Sequence, residues 1–288
     1  MHNVDLPPDL IRDVVAQALR EDIGTGDLTT LAAVPADAQA VARFVFREPG
    51  IVCGLPLLDA VFAAVDPALT VTRHVAEGAR LEPGQAAASL AGPARGLLTG
   101  ERVALNLFQR LSGIATLTAR YVAAVHGSGA RILDTRKTTP GLRALEKYAV
   151  RVGGGINHRF GLYDGVMLKD NHLAILAAQG VDLAAAVARA RAAVGPMVCV
   201  EVEVETVAQA AAAAAAGADM ILLDNMSPEQ LRAAVAAVAG RARTEASGGI
   251  TLQSIRAVAE SGVDFISVGA LTHSARALDI GLDITETG

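Results

Sequence analysis

The sequence predicts an α/β protein whose larger part is an incomplete parallel α/β barrel of about six strands. After Gly129, six short apolar segments alternate with helical segments of about three turns, the rhythm of stacked βα units. The last four units recur at intervals of about 20 to 22 residues, which suits a compact barrel unit and not a solenoid repeat. Between Gln39 and Leu90, short β-type runs are instead separated by turn sequences such as EPG and EGARLEPGQ, which indicates a separate α+β unit with antiparallel strands.

The segments before Gly129 predict a helix, a small sheet and a second helix. Apolar spacing across residues 6–20 predicts the first helix, and GTGDLTT ends it. The runs ARFVFRE, GIVCGL, LTVTRHV and AAASLAG are strand candidates, with VFAAVDPA as a short helix among them. Residues 97–125 have a helical apolar pattern that we expect to be interrupted near Ser112-Gly113.

The barrel strands are predicted at RILDT, VMLKD, VCVEVEV, MILLDN, RTEASG and FISVGA. The helices between them are GLRALEKYAV, DLAAAVARARAAV, TVAQAAAAAAAG, SPEQLRAAVAAVAG and TLQSIRAVAESG. We therefore expect an N-terminal domain over residues 1–112 and a barrel domain over 113–270. The pattern leaves open whether the tail, 271–288, packs on the first domain.

Composition excludes several classes of protein. The chain has 288 residues, 52% of them hydrophobic, and a formal charge of −5, which argues against a broad nucleic-acid or anionic-membrane surface. No signal peptide or membrane span is predicted, so we expect a cytoplasmic protein without a nucleic-acid or membrane partner. Cys53 and Cys199 lie in apolar sequence without ligand spacing, so both are predicted to be buried, reduced thiols.

Positive charge is concentrated in one segment, from Asp134 to His172. All three lysines of the chain, Lys137, Lys147 and Lys169, fall inside it, together with four arginines. A locally cationic segment in an acidic protein indicates a pocket for a small, strongly anionic ligand.

Charged residues or glycines stand at the carboxyl end of each predicted barrel strand, the edge where such barrels place their chemistry. They occur in the segments Asp134-Thr135-Arg136-Lys137, Lys169-Asp170, Glu203 and Glu205, Asp224-Asn225, Glu245 with Ser247, and Val268-Gly269. Helix caps and turns could explain some of these ends singly: Ser227 and Thr251 are good N-caps, and Asp224 or Asn225 could be a turn residue. Six such ends together predict one converging site.

The motifs resemble one family, the quinolinate phosphoribosyltransferases. The resemblance rests on DTRKTTPG, GGGINHR and KDNH, with TGERVALNLFQRLSGIAT before them and VEVEVET, ILLDN, EASGGI and VGALTHS after them. It implies an N-terminal α+β sandwich domain followed by the incomplete barrel, assembled as a homodimer or a multiple of dimers. It also implies transfer of phosphoribosyl from phosphoribosyl pyrophosphate to quinolinate, with release of pyrophosphate and CO2, and a requirement for Mg²⁺.

The resemblance assigns the cationic residues to the substrates. Quinolinate is a planar dicarboxylate, which forked guanidinium groups bind well, and Arg136, Arg159 and Lys169 match the family's contacts, with His158 beside them. Lys137 matches the region shared by both substrates. Arg102, on a helix outside the barrel, matches an arginine lent by the neighbouring subunit; from the sequence alone it would be a solvated helix residue.

Two carboxylates, Glu203 and Asp224, match the family's acidic pair. Magnesium prefers one or two carboxylates together with phosphate oxygens and water, so these two are the predicted metal ligands. With Lys137 and Lys169 they form the predicted catalytic set. Alternation along VEVEVE also places Glu201 on the same side of the strand as Glu203.

Two glycine-containing strand ends are predicted to receive the 5′-phosphate, which needs backbone N–H groups without an obstructing side chain. These segments and their neighbours complete the predicted substrate-binding set: Thr135, Glu245, Ala246, Ser247, Gly248, Ser267, Val268 and Gly269. Gly153-Gly154-Gly155 is a rival cradle that we interpret as a turn. The roles of His172 and His273 stay open.

Three alternatives remain at this point. Lys169 at a strand end could be the Schiff-base lysine of an aldolase-like enzyme, which requires an environment that stabilises the neutral amine. A barrel that binds a phosphorylated ligand without catalysis is a second alternative, which the acidic pair disfavours. Nicotinate phosphoribosyltransferase, which does not decarboxylate, is a third, disfavoured by the number of cations.

Overall fold

The structure, a computed structural model, describes residues 6–287. Residues 1–5 of the predicted first domain and residue 288 of the predicted tail lie outside the described residues. By internal contacts the described chain forms two compact units: a first unit of residues 6–119, 139–154 and 274–287, and a second unit of residues 120–138 and 155–273.

The helices and strands are numbered in chain order. The helices are α1 (Pro8–Ile23), α2 (Leu28–Ala33), α3 (Leu55–Val65), α4 (Ala94–Ala124), α5 (Arg143–Val152), α6 (Asp170–Ala177), α7 (Leu183–Ala193), α8 (Val207–Ala215), α9 (Pro228–Val238), α10 (Ile255–Ala259) and α11 (Ala270–His273). The strands are β1 (Gln39–Phe46), β2 (Gly50–Ile51), β3 (Thr70–Arg73), β4 (Arg80–Leu81), β5 (Ala86–Pro93), β6 (Arg131–Leu133), β7 (Val166–Leu168), β8 (Val200–Val204), β9 (Met220–Asp224), β10 (Arg243–Ser247), β11 (Phe265–Ser267) and β12 (Ile280–Thr287).

The first unit contains a four-stranded antiparallel sheet in the order β12-β1-β5-β3. Phe44 and Phe46 of β1 are fully buried and pack edge-on against Phe108 of α4, with ring centroids 6.1 and 6.0 Å apart. Such edge-to-face pairs add to the stabilisation that burial gives. The strand β12 pairs with β1 and brings Ile280 opposite Phe46, so this part of the tail belongs to the first unit's sheet.

The helix α4 runs without a break through Ser112-Gly113, so the predicted interruption there is wrong and the predicted domain boundary at 112/113 falls inside a helix. Both residues meet close neighbours. The hydroxyl of Ser112 accepts a hydrogen bond from the backbone N–H of Cys53 at 3.1 Å. A Cβ at position 113 would lie 2.0 Å from the carbonyl oxygen of Arg276, which explains glycine in mid-helix by packing and not by helix breaking.

The helix α5 belongs to the first unit, although the sequence places its segment in the barrel domain. Its Glu146 is fully buried and accepts hydrogen bonds from Arg110 at 2.7 Å and from the Thr139 hydroxyl at 2.8 Å. Its Lys147 is 1% exposed. One of the three lysines of the cationic segment is therefore buried in the first unit and does not line the anion pocket.

The second unit is a six-stranded parallel sheet in the order β6-β11-β10-β9-β8-β7. The strands β6 and β7 are consecutive in the chain but lie at opposite edges of the sheet, so the barrel does not close between them. A parallel bridge from Leu133 to Ile156 extends the β6 edge by one short segment. The predicted fold class, with six barrel strands and an α+β first part, is confirmed.

The short helices α2, α6 and α11 were not among the predicted helical segments. The helix α2 lies where a turn was expected, and Asp27 caps it by accepting a hydrogen bond from the backbone N–H of Thr30 at 2.9 Å. The helix α6 begins directly after Lys169, and His172 Nδ1 accepts the backbone N–H of Lys169 at 3.0 Å. His172 therefore fixes the backbone at the start of α6, which is a structural role.

The two cysteines differ in exposure. Cys53 is buried as predicted, whereas Cys199 is exposed, so that half of the prediction is wrong. Cys199 stands just before β8, at the amino end of the barrel strands. Within residues 6–287 no helix combines the length and the apolar content needed to cross a membrane.

Candidate active site

A cavity of about 470 Å³ lies at the carboxyl ends of the barrel strands. We call it the upper cavity. Residues from every barrel strand or from the loop that follows it contribute to its wall: Thr135, Arg136, Lys137, His158, Arg159, Met167, Lys169, Glu203, Leu222, Asp224, Glu245, Ser247 and Ser267. Its volume suits a ligand the size of a nucleotide.

One side of the upper cavity is acidic. Glu203 of β8 accepts a hydrogen bond from the Lys169 ammonium group, and Asp224 of β9 accepts one from Asn225 Nδ2 at 2.6 Å. Burial and the neighbouring Glu203 raise the pKa of Asp224. The strands β8 and β9 are paired neighbours, so the two carboxylates stand together and offer the oxygen ligands that a hard divalent cation prefers.

The other side is cationic. Burial, together with the like charge of Arg136, lowers the pKa of Arg159. Arg159 Nη1 donates to the carbonyl oxygen of Gly165 at 3.0 Å, while the buried Nε of Arg136 has no hydrogen-bond partner among residues 6–287. Two guanidinium groups and Lys137 facing one cavity repel each other unless an anion lies between them. This wall therefore suits a ligand with several negative charges.

Asp134 holds the segment that carries His158 and Arg159. Its fully buried carboxylate accepts hydrogen bonds from Asn157 Nδ2 at 2.6 Å and from the backbone N–H of His158 at 2.8 Å. The sequence placed Asp134 among the residues of the barrel mouth. The structure instead gives it the role of tying the 157–159 segment to the end of β6.

Beneath the upper cavity lies a buried polar layer of His158 and Glu245, which line the cavity, and Glu201, which does not. His158 Nε2 lies 3.1 Å from a Glu201 oxygen and 3.4 Å from a Glu245 oxygen, and both glutamates are at most 3% exposed. Burial lowers the pKa of His158, but the two carboxylates outweigh it and raise that pKa to about 10. Burial raises the pKa of Glu201.

Glu201, Met167 and Leu222 were not among the predicted site residues. Each stands two positions before a residue that was: Glu203, Lys169 and Asp224 respectively. Because side chains alternate along a strand, the same periodicity places them one layer deeper in the barrel. Strand alternation was thus a usable signal for all three.

Some predicted residues do not line the cavity with their side chains. Ala246 and Val268 are buried at 1% and 2% exposure, while their neighbours Ser247 and Ser267 face the cavity. Arg102 is exposed on α4 of the first unit. The turn interpretation of the triple glycine agrees with the structure, since Gly153 ends α5 and a Cβ there would lie 2.5 Å from the carbonyl oxygen of Ala115.

The two predicted phosphate segments approach other site residues closely. Gly248 has a φ of +98°, and a Cβ there would lie 2.1 Å from Asn225 Oδ1. A Cβ at Gly269 would lie 3.1 Å from both Lys137 Cδ and His273 Nε2. Glycine is therefore required at position 248 by both the backbone angle and the space available.

The fold and the site together define an α/β-barrel enzyme that acts on anionic substrates, with a cationic wall facing a carboxylate pair at the carboxyl ends of the strands. Comparison with known families narrows this class. The model of the quinolinate phosphoribosyl transferase N-terminal domain matches residues 27–112, and that of the C-terminal domain matches residues 114–283. The chain belongs to the quinolinate phosphoribosyltransferase family.

Individual relatives are similar over nearly the whole chain. The nicotinate-nucleotide pyrophosphorylase [carboxylating] of Mycobacterium leprae (strain TN) is 49% identical over 284 residues, covering 96% of this chain and 98% of that protein. The probable nicotinate-nucleotide pyrophosphorylase [carboxylating] of Bacillus subtilis (strain 168) is 49% identical over 265 residues, covering 92% and 90%. These relatives span the same length, so both units are shared.

Solved structures agree with the fold. NadC from Streptococcus pyogenes superposes with a TM-score of 0.92 at 46% identity, covering 98% of this chain and 99% of that one. The nicotinate-nucleotide pyrophosphorylase from Francisella tularensis gives 0.91 at 39% identity, covering 98% of each chain. Human nicotinic acid phosphoribosyltransferase, at 17% identity with a TM-score of 0.58 and coverage of 98% and 75%, shares the fold alone.

Proposed function

We propose that this chain transfers the phosphoribosyl group of phosphoribosyl pyrophosphate to the ring nitrogen of quinolinate. Pyrophosphate and CO2 leave, and nicotinate mononucleotide forms for NAD biosynthesis. The observation that carries the proposal is the pairing of a cationic wall, made by Arg136, Arg159 and Lys137, with the carboxylates of Glu203 and Asp224 in one cavity. The cationic wall suits a planar dicarboxylate, and the two carboxylates suit a metal-bound diphosphate.

On this proposal Arg136, Arg159 and Lys169 hold the quinolinate carboxylates, with His158 below them. The raised pKa of His158, about 10, keeps a positive charge at the floor of the cavity at neutral pH. Lys169 already donates to Glu203, so one side chain borders both substrate regions. This placement would bring the two substrates into contact, and holding reactants in register supplies a large part of catalysis.

Glu203 and Asp224 would hold Mg²⁺, because two adjacent carboxylates with a water-accessible cavity fit the ion's preference for oxygen ligands. When bound, the ion would supply neutralisation of the pyrophosphate charge. The protein's own contribution to the leaving group comes from Lys137 and Arg136. The carboxylates also face the ribose, where they stabilise the positive charge that develops as the bond to pyrophosphate breaks.

For decarboxylation, the protein needs to do little more than position the substrate and exclude water from the site. Once the ring nitrogen carries the ribose it is cationic, so the electrons left by CO2 at the neighbouring carbon are stabilised by that charge. Met167 and Leu222 in the cavity wall restrict water next to the polar groups. No general base is required for this step, and the ring carbon that loses CO2 then takes up one proton from water to give nicotinate mononucleotide.

A decarboxylation assay tests the proposal. Purified protein is incubated with quinolinate, phosphoribosyl pyrophosphate and magnesium, and CO2 and nicotinate mononucleotide are both measured. Equal amounts of the two products are expected. Nicotinate replacing quinolinate without loss of rate would point instead to a non-decarboxylating phosphoribosyltransferase. Borohydride trapping of a Schiff base at Lys169 would support an aldolase-like activity, which the Lys169–Glu203 hydrogen bond disfavours.

The proposal extends to a cytoplasmic homodimer, or a multiple of dimers, in which Arg102 completes the partner's site. The motif TGERVALN supports this role, and exposure of Arg102 on α4 leaves it available. Mixing an inactive Arg102→Ala chain with an inactive Lys169→Ala chain under exchanging conditions should restore activity, because one site of each heterodimer then has every cation. If confirmed heterodimers are inactive, the shared-site hypothesis is wrong, and Arg102 is an ordinary surface residue of α4.

A further inference from the structure

The second unit contains another cavity, at the opposite end of the same barrel. We call it the lower cavity. It has a volume of about 250 Å³ and is lined by Val166, Met220 and Phe265, each the first residue of its strand, and by Leu133, with Cys199 at its rim. The buried layer of His158, Glu201 and Glu245 lies between the two cavities. The lower cavity is large enough for one ring with a short substituent and too small for a nucleotide.

Glu201 belongs to the lower cavity. It lines this cavity and not the upper one, whereas Glu245 lines the upper cavity. One Glu201 oxygen faces His158 Nε2 at 3.1 Å, but Oε1 is buried without a hydrogen-bond partner in the described part of the chain, on a residue that is 3% exposed. A buried carboxylate oxygen without a donor costs stability, so a donor from a ligand would be well placed there.

The charges around the lower cavity favour a positively charged donor. The buried layer sets two carboxylates, Glu201 and Glu245, against one histidine. Asp164, whose oxygens accept the backbone N–H groups of Phe160 and Gly161, adds a third carboxylate at the wall. Arg159 lines the same cavity and donates to the carbonyl oxygen of Gly165 at 3.0 Å, so three carboxylates stand against two cationic side chains. Charges in a poorly solvated cavity are weakly screened, so the excess negative charge attracts a cation more strongly there than it would at the surface.

We propose that the lower cavity is a second ligand site, for a one-ring compound that carries a cationic N–H group such as an amidine or a primary amine. The ring lies among Leu133, Val166, Met220 and Phe265, and the cation donates to Glu201 Oε1. Because His158 and Arg159 line both cavities, the occupant changes the clamp above it. The site is thus an effector site, and binding there does not depend on the proposed activity.

Calorimetric titration with benzamidine tests binding in the purified full chain. We expect one saturable site for benzamidine, binding at least tenfold weaker for neutral benzamide, and no binding of benzoate there. Glu201→Gln should weaken benzamidine binding at least tenfold. Met220→Trp should abolish it by filling the cavity, and Val166→Phe provides a second filling variant if the first misfolds. Met197→Trp, at a methionine that is 94% exposed, is the matched control and should bind normally.

Alkylation of Cys199 gives an independent readout, because Cys53 is buried. Although Cys199 is exposed as a residue, partial burial of its thiol, together with neighbouring Glu201, raises its pKa to about 11. Iodoacetamide is therefore used at about pH 9, where part of the thiol is ionised. Benzamidine should slow this alkylation in the natural chain and not in Met220→Trp. Quinolinate saturation curves should shift with benzamidine in the natural chain and be unaffected in Met220→Trp.

Two results would overturn the proposal. Absence of benzamidine binding at millimolar concentration is one. The other is binding that survives Met220→Trp and is displaced by phosphoribosyl pyrophosphate with magnesium, since that places the probe in the upper cavity beside Glu203 and Asp224.

Discussion

Replacing Gly248 with alanine should impair the acidic pair without touching it directly. A Cβ at this position would lie 2.1 Å from Asn225 Oδ1 and 2.9 Å from the Asn225 backbone nitrogen. Asn225 Nδ2 donates to Asp224 at 2.6 Å. Asn225 must therefore move by about 1 Å or more to reach van der Waals separation, and Asp224 then loses its donor.

The magnitude has two parts. Alanine at a φ near +98° costs about 1–3 kcal/mol of backbone strain, and forcing a group into packed surroundings costs about another 1–3 kcal/mol. Gly262 separates the two, because its φ is +92° but its added Cβ would meet its nearest neighbour, Val235, at an ordinary 3.6 Å. Gly262→Ala should show only the strain, and Gly248→Ala should show both.

The assay measures unfolding by denaturant together with turnover as a function of magnesium and phosphoribosyl pyrophosphate. A displacement of about 1 Å in a positioned group can reduce turnover about 100-fold, so kcat/KM of Gly248→Ala should fall on that scale while Gly262→Ala stays near normal. Equal activities for the two variants, at equal folded fraction, would refute the link from Gly248 through Asn225 to Asp224.

Three further changes test other parts of the molecule. Glu146→Ala should lower the free energy of unfolding by about 3–5 kcal/mol, because it removes the buried carboxylate that accepts from Arg110 and Thr139; the exposed control Glu229→Ala should unfold like the natural chain. Arg136→Ala or Lys169→Ala should abolish measurable turnover with an unchanged circular dichroism spectrum, since each charge-assisted contact is worth about 1.5–3 kcal/mol or more. Asp224→Asn should weaken binding of magnesium–phosphoribosyl pyrophosphate more than binding of quinolinate, and an equal loss in both titrations would contradict its assignment to the metal.

Local patterns in the sequence were sufficient for the barrel strands and for most of the upper cavity. The carboxyl ends of parallel strands meet at one edge, so residues such as Lys169, Glu203 and Asp224 could be grouped without knowledge of the tertiary structure. The same alternation also pointed to Glu201. The local sequence, a glutamate between valines, does not predict that Glu201 is paired with a histidine from another segment.

Features that depend on distant neighbours could not be predicted in this way. From the sequence alone Gly113 resembles a helix breaker. The structure shows instead that the carbonyl oxygen of Arg276 lies too close to this position for any side chain. Cys199 has an apolar sequence context but is exposed, directly before β8. Lys147 shares a charged segment with Lys137, yet its helix packs in the other unit, because a chain segment can leave one unit and return.

The strand order has a consequence for how the chain acquires its structure. In the second unit β6 pairs with β11, and in the first unit β1 pairs with β12. An early strand of each unit must wait for a strand from the last quarter of the chain, while β7 to β10 can add to one another in succession. Such long-range pairings slow folding. During synthesis at a ribosome, β1 of the first sheet and β10 of the second would keep an open edge until β12 and β11 are made. We expect a chaperone to bind at those two edges.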